Sequence, residues 1–130
     1  MANLLFLEDL SPGQRFASPE REIDNDPAGW FGTSPDRASE LHIASMTMRL
    51  LVDSDFRPAG GILGAGIEGL QWPTPARPGD RLHVEIEVLE VRRSKSRPDR
   101  GLARIRNVTL NSANETVQVM ISTSIMRARG

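Results

Sequence analysis

Apolar residues between Ala38 and Asp53 recur at the spacing of an α-helix. They form two adjoining helical stripes, one of Leu41, Ala44, Met48 and Leu51 and the other of Ile43, Met46 and Leu50. A helix that is apolar over so much of its circumference is expected to be buried. Ser39 is the predicted N-cap, and the glycines and proline that follow Asp53 are predicted to end the helix.

After this helix the pattern changes to the two-residue alternation of β-strands. In the first long strand the predicted inward residues are Leu82, Val84, Ile86 and Val88, after which Leu89 and Val91 continue in the opposite phase. This reversal predicts a bulge near Val88. A similar reversal is predicted in the next strand, where Ala103 and Ile105 give way to Val108 and Leu110, and the last strand is predicted to alternate through Val117, Val119, Ile121 and Ile125.

Two short segments of turn-forming residues, 98–101 and 111–114, connect these three strands into a predicted antiparallel meander. An early strand, a buried helix and at least four antiparallel strands together predict an α+β domain. In such a domain one sheet curls around one helix. The 130 residues fit a single domain, 1–130, with no internal repeat.

Composition excludes several classes of function. The chain has no cysteine and only two histidines, far apart in sequence, so no metal site is expected. A net charge of −1 gives no general attraction to nucleic acid. The chain lacks a long apolar run, and its first residues lack the basic flank of a signal peptide, so we expect a cytoplasmic protein with no membrane partner.

Charge is nevertheless unevenly distributed. Residues 1–40 carry eight acidic residues against three arginines, whereas residues 92–106 are strongly basic, with Asp99 as their one acidic residue. The basic segment lacks the interleaved aromatic residues of a surface that binds single-stranded nucleic acid. It suits a small anionic ligand, or else its arginines lie on the solvated faces of two strands and a turn.

Three segments resemble the MaoC-like dehydratases: 46–53 (MTMRLLVD), 60–82 (GGILGAGIEGLQWPTPARPGDRL) and 94–101 (SKSRPDRG). A weaker likeness covers 6–13 (FLEDLSPG). The resemblance implies a hotdog fold, in which an antiparallel sheet wraps a central helix, and a homodimer or higher homo-oligomer. It also implies an acyl-CoA thioester substrate and reversible hydration of trans-2-enoyl-CoA to (R)-3-hydroxyacyl-CoA. No cofactor is implied beyond the CoA that the substrate carries.

The catalytic pair of that family is absent from this sequence. Family members carry an aspartate and a histidine, spaced as D-x-x-P-x-H, ahead of the central helix, where such paired groups serve as general base and acid. Here only Asn25 separates Ile23-Asp24 from Asp26-Pro27. Either the segment is truly deleted, or residues of the natural chain near 24–26 are missing from this sequence. We expect the second, because the flanking residues resemble intact family sequence, and the catalytic residues are therefore unknown.

The first turn of the central helix departs from the family pattern. Its free N–H groups are expected to polarise the thioester carbonyl, which makes Ser39 and Glu40 candidate substrate-binding residues. The family often has Ala-Ser-Gly here, whereas this chain has Ala38-Ser39-Glu40. Glu40 either supplies a catalytic carboxylate, as in a hotdog thioesterase, or simply favours the helix dipole.

His42 is a second weak catalytic candidate. It matches a histidine that relatives carry in Gly-Trp-His at this point, which is not the catalytic one. On an otherwise apolar helix it is either a buried, hydrogen-bonded residue or a substitute acid or base.

Two further segments are candidate parts of the binding site. Gly64, Ala65 and Gly66 are predicted to lie along the pantetheine and thioester, although glycines here could instead allow the sheet to bend sharply. Trp72, at the end of that strand, is expected to pack in the core or at a dimer interface. The turn that contains Ser94, Lys95, Ser96 and Arg97 combines hydroxyl groups and cations that suit the phosphates of CoA.

The sequence therefore predicts a hydratase or dehydratase and leaves two alternatives open. The first is an acyl-CoA thioesterase that uses Glu40. The second is a catalytically inactive hotdog subunit that binds acyl-CoA or pairs with an active partner. An intact D-x-x-P-x-H segment in the gene would select the hydratase, since fold alone does not decide function.

Overall fold

A computed structural model describes residues 3–129 of the chain. Its elements, in chain order, are a 3₁₀ turn (Leu7–Asp9), β1 (Arg15–Ala17), β2 (Arg21–Glu22), α1 (Glu40–Asp53), β3 (Gly64–Gln71), β4 (Arg81–Arg93), β5 (Arg100–Leu110) and β6 (Thr116–Arg127). Within the described residues, no helix is long and apolar enough to cross a membrane.

The strands form one antiparallel sheet around helix α1. The order is β1-β4-β5-β6-β3, and the short β2 pairs with the start of β4. Strands β4, β5 and β6 are consecutive neighbours, so the predicted meander is confirmed. A single helix wrapped by such a sheet is the hotdog fold, as the sequence predicted.

Helix α1 begins where the sequence predicted. The Ser39 hydroxyl accepts a hydrogen bond from the backbone N–H of His42 at 3.2 Å, which is the N-cap arrangement. One face of the helix is buried against the sheet, with Ile43, Met46, Leu50 and Leu51 all less than a tenth exposed. This face anchors the helix to the core.

The opposite face of α1 remains open in the single chain. Leu41, Met48 and Val52 are 68%, 48% and 49% exposed, although the sequence pattern predicts a helix buried on most sides. The sheet curls around only one side of the helix, because its last strand, β3, is an edge that pairs with β6 alone. The outer part of the apolar circumference therefore lacks a cover within this chain.

The predicted bulge in β4 is confirmed, whereas the predicted phase of the next two strands is wrong. The pairing of β4 with β5 shifts register between Val88 and Glu90. In β5, however, pairing with both neighbours is regular from Ile105 to Thr109, so Asn107 rather than Val108 is buried. The expected reversal comes later than predicted, between Thr109 and Leu110, where the pairing with β6 shifts register and both residues are buried.

The inward face of β6 is also the reverse of the predicted one over most of its length. Val117 is buried as expected, but beyond it the buried side chains are Gln118, Met120, Ser124 and Met126, while Val119, Ile121 and Ile125 are half-buried. Two of the polar side chains on this face have hydrogen-bond partners there. Gln118 Oε1 accepts a hydrogen bond from Trp72 Nε1 at 2.9 Å, and Ser122 Oγ accepts one from Asn107.

The two ends of the described chain are joined by ion pairs. Arg129 forms two hydrogen bonds to the carboxylate of Asp9, at 2.7 and 2.9 Å, and its guanidinium lies 4.5 Å from the centre of the Phe6 ring. Arg93, at the end of β4, binds Glu8 at 2.6 Å. These contacts tie the 3₁₀ turn to the last strand and to the far end of β4.

Candidate functional site

A cavity of about 630 Å³ lies between α1 and the concave face of the sheet. The helix contributes Ala44, Ser45 and Met48 on the side that the sheet leaves open. Strands β3, β5 and β6 contribute the floor, and the remaining lining residues are Leu51, Phe56, Ile62, Gly64, Gly66, Ile67, Leu70, Ile105, Asn107, Met120, Ser122 and Ser124. No lining residue carries a charge, so the cavity suits an apolar group.

The two glycines that line the cavity keep it open. A methyl group added at Gly64 or Gly66 would have no atom within 4 Å, so neither glycine is required by packing inside the chain. Of the predicted run, all three residues are exposed, and Gly64 and Gly66 line the cavity, whereas Ala65 is not part of the lining. Register shifts interrupt β3 on both sides of Gly66, and bends of this kind are what glycine tolerates.

The first turn of α1 presents two free backbone donors. The N–H of His42 is bonded to Ser39 Oγ, and the N–H of Ile43 is bonded to the Ser39 carbonyl. The N–H groups of Glu40 and Leu41 have no hydrogen-bond partner among residues 3–129. Such donors at the positive end of a helix can stabilise a developing negative charge on oxygen.

His42 is buried and hydrogen bonded at both ring nitrogens. Its Nδ1 lies 2.7 Å from Thr33 Oγ1, and its Nε2 lies 3.1 Å from Asp24 Oδ1. The ionised carboxylate of Asp24 can only accept a hydrogen bond, so His42 Nε2 carries a proton, and in the neutral imidazole Nδ1 then accepts a hydrogen bond from the Thr33 hydroxyl group. The network therefore places the imidazole proton on Nε2, from which it is donated to Asp24.

This arrangement agrees with the expectation of a buried, hydrogen-bonded histidine and adds a partner that the sequence did not indicate. The side chain of Asp24 is 64% exposed, whereas that of His42 is only 2% exposed. The Phe31 ring stacks on the imidazole, with centroids 5.0 Å apart and planes 10° apart. Of this carboxylate and imidazole pair, only Asp24 is open to solvent.

A short loop of residues 24–33 carries these partners of His42. Asp26 is buried, and its Oδ2 accepts hydrogen bonds from the N–H groups of Phe31 and Thr33. Asp24 Oδ1 in turn accepts one from the N–H of Asp26 at 2.8 Å. The structure describes this part of the chain as continuous, and the expected omission of natural residues near 24–26 stays a prediction.

Glu40 is exposed and paired with Arg37, whose Nη2 lies 3.6 Å from its carboxylate. It is not among the residues that line the cavity. Ser39 is occupied as the helix cap, so its hydroxyl supports the first turn rather than standing free. The two predicted residues thus lie at the start of the helix, as expected, with different local roles.

The predicted phosphate-binding turn is well formed. Ser94 Oγ accepts a hydrogen bond from the N–H of Arg97 at 3.1 Å and lies 3.4 Å from Ser96 Oγ. Lys95 and Arg97 form no ion pair with any residue among 3–129. A shallow cavity of about 480 Å³ beside the turn is lined by Arg92, Arg93, Ser94, Lys95, Arg100, Gly101, Leu102 and Ile125.

Sequence reasoning missed the polar residues of the main cavity. Asn107 is 1% exposed, yet its side chain reaches the lining next to Ser122. The two-residue alternation of β5 could have indicated this, because Asn107 and Thr109 continue the inward series of Ile105. The apolar residues Val108 and Leu110 instead favoured the prediction that those two residues face inward. Within the described range no group of three or more His, Asp or Glu residues is placed to hold a metal.

Solved structures of similar fold share different amounts of sequence with this chain. A MaoC-like dehydratase from Rhodospirillum rubrum is 41% identical, with a TM-score of 0.88, over 97% of this chain and 99% of that chain. A Mycobacterium tuberculosis protein with a double hotdog fold is 18% identical, with a TM-score of 0.73, over 96% and 44% of the two chains. The (R)-hydratase PhaJ1 from Pseudomonas aeruginosa is 20% identical, with a TM-score of 0.64, over 96% and 86%. No family model and no curated protein matches the chain.

Proposed function

The chain belongs to the MaoC-like dehydratase family, and we propose on this basis that it reversibly hydrates a trans-2-enoyl-CoA to the (R)-3-hydroxyacyl-CoA. The observation that carries the proposal is the uncharged cavity of about 630 Å³ beneath helix α1. A cavity of this size and polarity fits the acyl chain of a thioester, while the charged coenzyme stays outside it.

The first turn of α1 would hold the thioester. The N–H groups of Glu40 and Leu41 would donate to the thioester oxygen and stabilise the negative charge that develops there. A base removes a proton from water, the water oxygen bonds to C3, and the electrons of the C2–C3 double bond move to the thioester as an enolate. The enolate carbon C2 then takes up a proton, so that one water is added in total.

We assign the proton transfer to Asp24, because His42 has both ring nitrogens engaged and is shielded by Phe31. Asp24 is the solvent-accessible member of the pair and is oriented by the proton on His42 Nε2. In this assignment His42 is a positioning residue. The proposal therefore replaces the absent family pair with a carboxylate and a histidine that the fold brings together.

The basic turn would bind the coenzyme. Ser94, Lys95, Ser96 and Arg97 offer hydroxyl groups and cations without acidic partners in the described chain, and phosphate oxygens are matched to such groups. The neighbouring Arg93 is paired with Glu8, so we expect the residues of the turn, rather than Arg93, to contact the phosphates.

We propose that a second copy of the chain covers the open face of α1. The helix exposes the apolar residues Leu41, Met48 and Val52, and β3 exposes Ile67, which is 61% exposed. Met48 and Ile67 both line the cavity. The free edge of β3 could also extend the sheet across a dimer.

Replacing Met48 or Ile67 with Glu should convert the dimer to monomers in sedimentation velocity, whereas Leu102→Glu, on another exposed apolar residue, should leave it dimeric. A monomeric unaltered protein would contradict this.

The reaction is tested by incubating the protein with trans-2-octenoyl-CoA. Loss of the conjugated enoyl absorbance without release of CoA thiol, and formation of the (R)-3-hydroxy product, would support the hydratase. Release of thiol would support the thioesterase instead. No turnover by protein from the complete gene would support the binding subunit, and the DNA between the codons for Ile23 and Pro27 shows whether that gene carries extra residues.

A further inference from the structure

Asn107 is a polar residue at the floor of an otherwise apolar cavity. It lies in β5 on the face turned toward the helix and is 1% exposed. Its Nδ2 donates to Ser122 Oγ at 3.1 Å and, at 3.5 Å, to the carbonyl of Met120 on β6. No hydrogen bond to its Oδ1 is found among residues 3–129.

The free oxygen of Asn107 opens into the cavity. Gln118 Nε2 is the one fully buried side-chain nitrogen or oxygen without a partner in the described chain. Asn107 Oδ1 also lacks a partner but is not among the fully buried atoms, so part of its surface is accessible. Since Asn107 belongs to the cavity lining, the accessible space next to Oδ1 is the cavity.

Stability alone does not account for an asparagine here. Its Oδ1 gains no hydrogen bond within the described chain and faces an otherwise apolar cavity, where a leucine of similar volume would suit the neighbours Ile105 and Met120 better. Asn107 therefore has the properties of a residue that receives its second partner from a ligand.

Asn107 and Ser122 together match one kind of group. Asn107 Oδ1 can accept a hydrogen bond, and Ser122 Oγ, which accepts from Nδ2, keeps its own proton to donate. An adjacent acceptor and donor fit a hydroxyl group, which is both donor and acceptor. The lining contains no ionisable side chain to balance a charged substituent.

We propose that Asn107 and Ser122 form a polar anchor that selects acyl groups bearing a hydroxyl group along the chain. The inference rests on the proposed function in one respect, namely that the acyl group occupies this cavity. It goes beyond that function by naming the substituent and the two residues that recognise it.

The test measures binding and needs no turnover. Saturated octanoyl-CoA is compared by calorimetry with isomers that carry one hydroxyl group at carbons 4 to 8, none of which is a substrate for hydration. At least one isomer should bind the unaltered protein about tenfold more tightly than octanoyl-CoA, as expected for one or two hydrogen bonds in an apolar site.

The variants Asn107→Leu and Ser122→Ala should each remove this preference, while octanoyl-CoA binds at least as well as before. Ser124→Ala is the matched control, because it removes a hydroxyl group from the same lining without a contact to Asn107, and it should keep the preference. Thermal unfolding confirms which variants are folded, and Ser122→Ala alone decides if Asn107→Leu does not fold.

Equal binding of all isomers and octanoyl-CoA, or a preference that persists in the folded variants, would overturn the inference. Hydration of octenoyl-CoA by a protein without this preference overturns the inference alone. A preference without hydration keeps the anchor and overturns the proposed reaction. A protein that binds none of the thioesters overturns both.

Discussion

The hydroxyl groups of Thr47 and Thr109 lie 2.7 Å apart and join the middle of helix α1 to strand β5. Both residues are fully buried, so each hydroxyl group depends on the other for its hydrogen bond. The pair is a polar link in the layer where the helix meets the sheet. It shows that this contact requires matched chemistry as well as apolar packing.

Thr47→Val should destabilise the protein by about 1–3 kcal/mol, because it leaves the Thr109 hydroxyl buried without a partner. The double variant with Thr109→Val should be considerably closer to the unaltered protein, since valine keeps the shape of threonine and no orphaned hydroxyl remains. The free energies of unfolding in urea measure both effects. Additive losses in the double variant would show that the two hydroxyl groups are not coupled.

Glu40→Gln distinguishes the hydratase from the thioesterase. The exposed carboxylate of Glu40 pairs with Arg37, and the proposed hydration uses the backbone N–H of this residue, which the change preserves. Hydration of trans-2-octenoyl-CoA should keep most of its rate. A thioesterase that uses this carboxylate would instead lose roughly 10²-fold or more of its thiol release.

Asp24→Asn should lower kcat for hydration by roughly 10²-fold or more, because the amide is not a base. The asparagine Oδ1 can still accept the hydrogen bond from His42 Nε2, so the unfolding temperature should change little. Asp36→Asn, an acidic residue close to the start of the helix in sequence, is the matched control and should keep its rate. Full activity in Asp24→Asn would remove Asp24 from the proposed mechanism and leave it a structural role.

The ion pairs at the chain ends predict a loss of stability in acid. The backbone N–H of Arg129, followed by other hydrogen bonds including one from Arg93, lowers the pKa of Glu8 below its ordinary 4.5. The side chain of Arg129 likewise lowers the pKa of Asp9 below 3.8. Depressed pKa values mean that these contributions are present above about pH 4.5 and are lost as the pH falls through the folded pKa values.

The variant Arg129→Gln removes the side chain that lowers the pKa of Asp9 but keeps the backbone N–H that binds Glu8, so it should partly flatten the dependence of the unfolding free energy on pH below about 3.8. At neutral pH its effect should be small, because the pairs are exposed. Arg15→Gln, which removes an exposed ion pair to Glu87 at 3.7 Å, is a control that should leave the pH dependence of the unfolding free energy in acid unchanged. If the unfolding free energy of Arg129→Gln depended on pH in acid as that of the unaltered protein does, the role assigned to the Arg129 side chain would be contradicted.

Gly101→Ala should destabilise the protein by about 1–3 kcal/mol or more. The added methyl group would clash with the carbonyl oxygen of Arg92 and with the side chain of Leu7, and the first of these is a backbone atom that cannot rotate away. Gly64→Ala is the matched control, since nothing lies within 4 Å of the added atom there. Denaturant titrations of the two variants compare them directly, and equal stabilities would show that the backbone at Gly101 shifts freely.

Local patterns in the sequence predicted the helix and the three-strand meander of the fold correctly. The helix from Glu40 to Asp53, its cap at Ser39, the bulge near Val88 and the two turns of the meander were all anticipated. Each depends on residues close together in the chain, such as a hydroxyl group three residues from the N–H that it caps. The family resemblance added the hotdog arrangement in the same way, from short contiguous motifs.

Only the tertiary structure decided which side chains of β5 and β6 face the helix. Sequence reasoning placed Ile121 and Ile125 inside because apolar residues are usually buried, whereas the sheet buries Gln118 and Ser124. A hydrogen bond from Trp72 satisfies Gln118 Oε1, and another joins Asn107 to Ser122 across two strands, so hydrogen bonds support part of the polar surface on this face.

The site depends on pairings that no local pattern reveals. Asp24 meets His42 across a loop held by Asp26, and the exposed apolar face of α1 exists because the sheet ends at β3. Composition and periodicity describe neighbours along the chain, but hydrogen-bond satisfaction and cavity shape are properties of residues that meet only when the chain is folded. The sequence alone therefore determined the elements and their order, and the folded sheet determined which of their faces form the cavity and its polar floor.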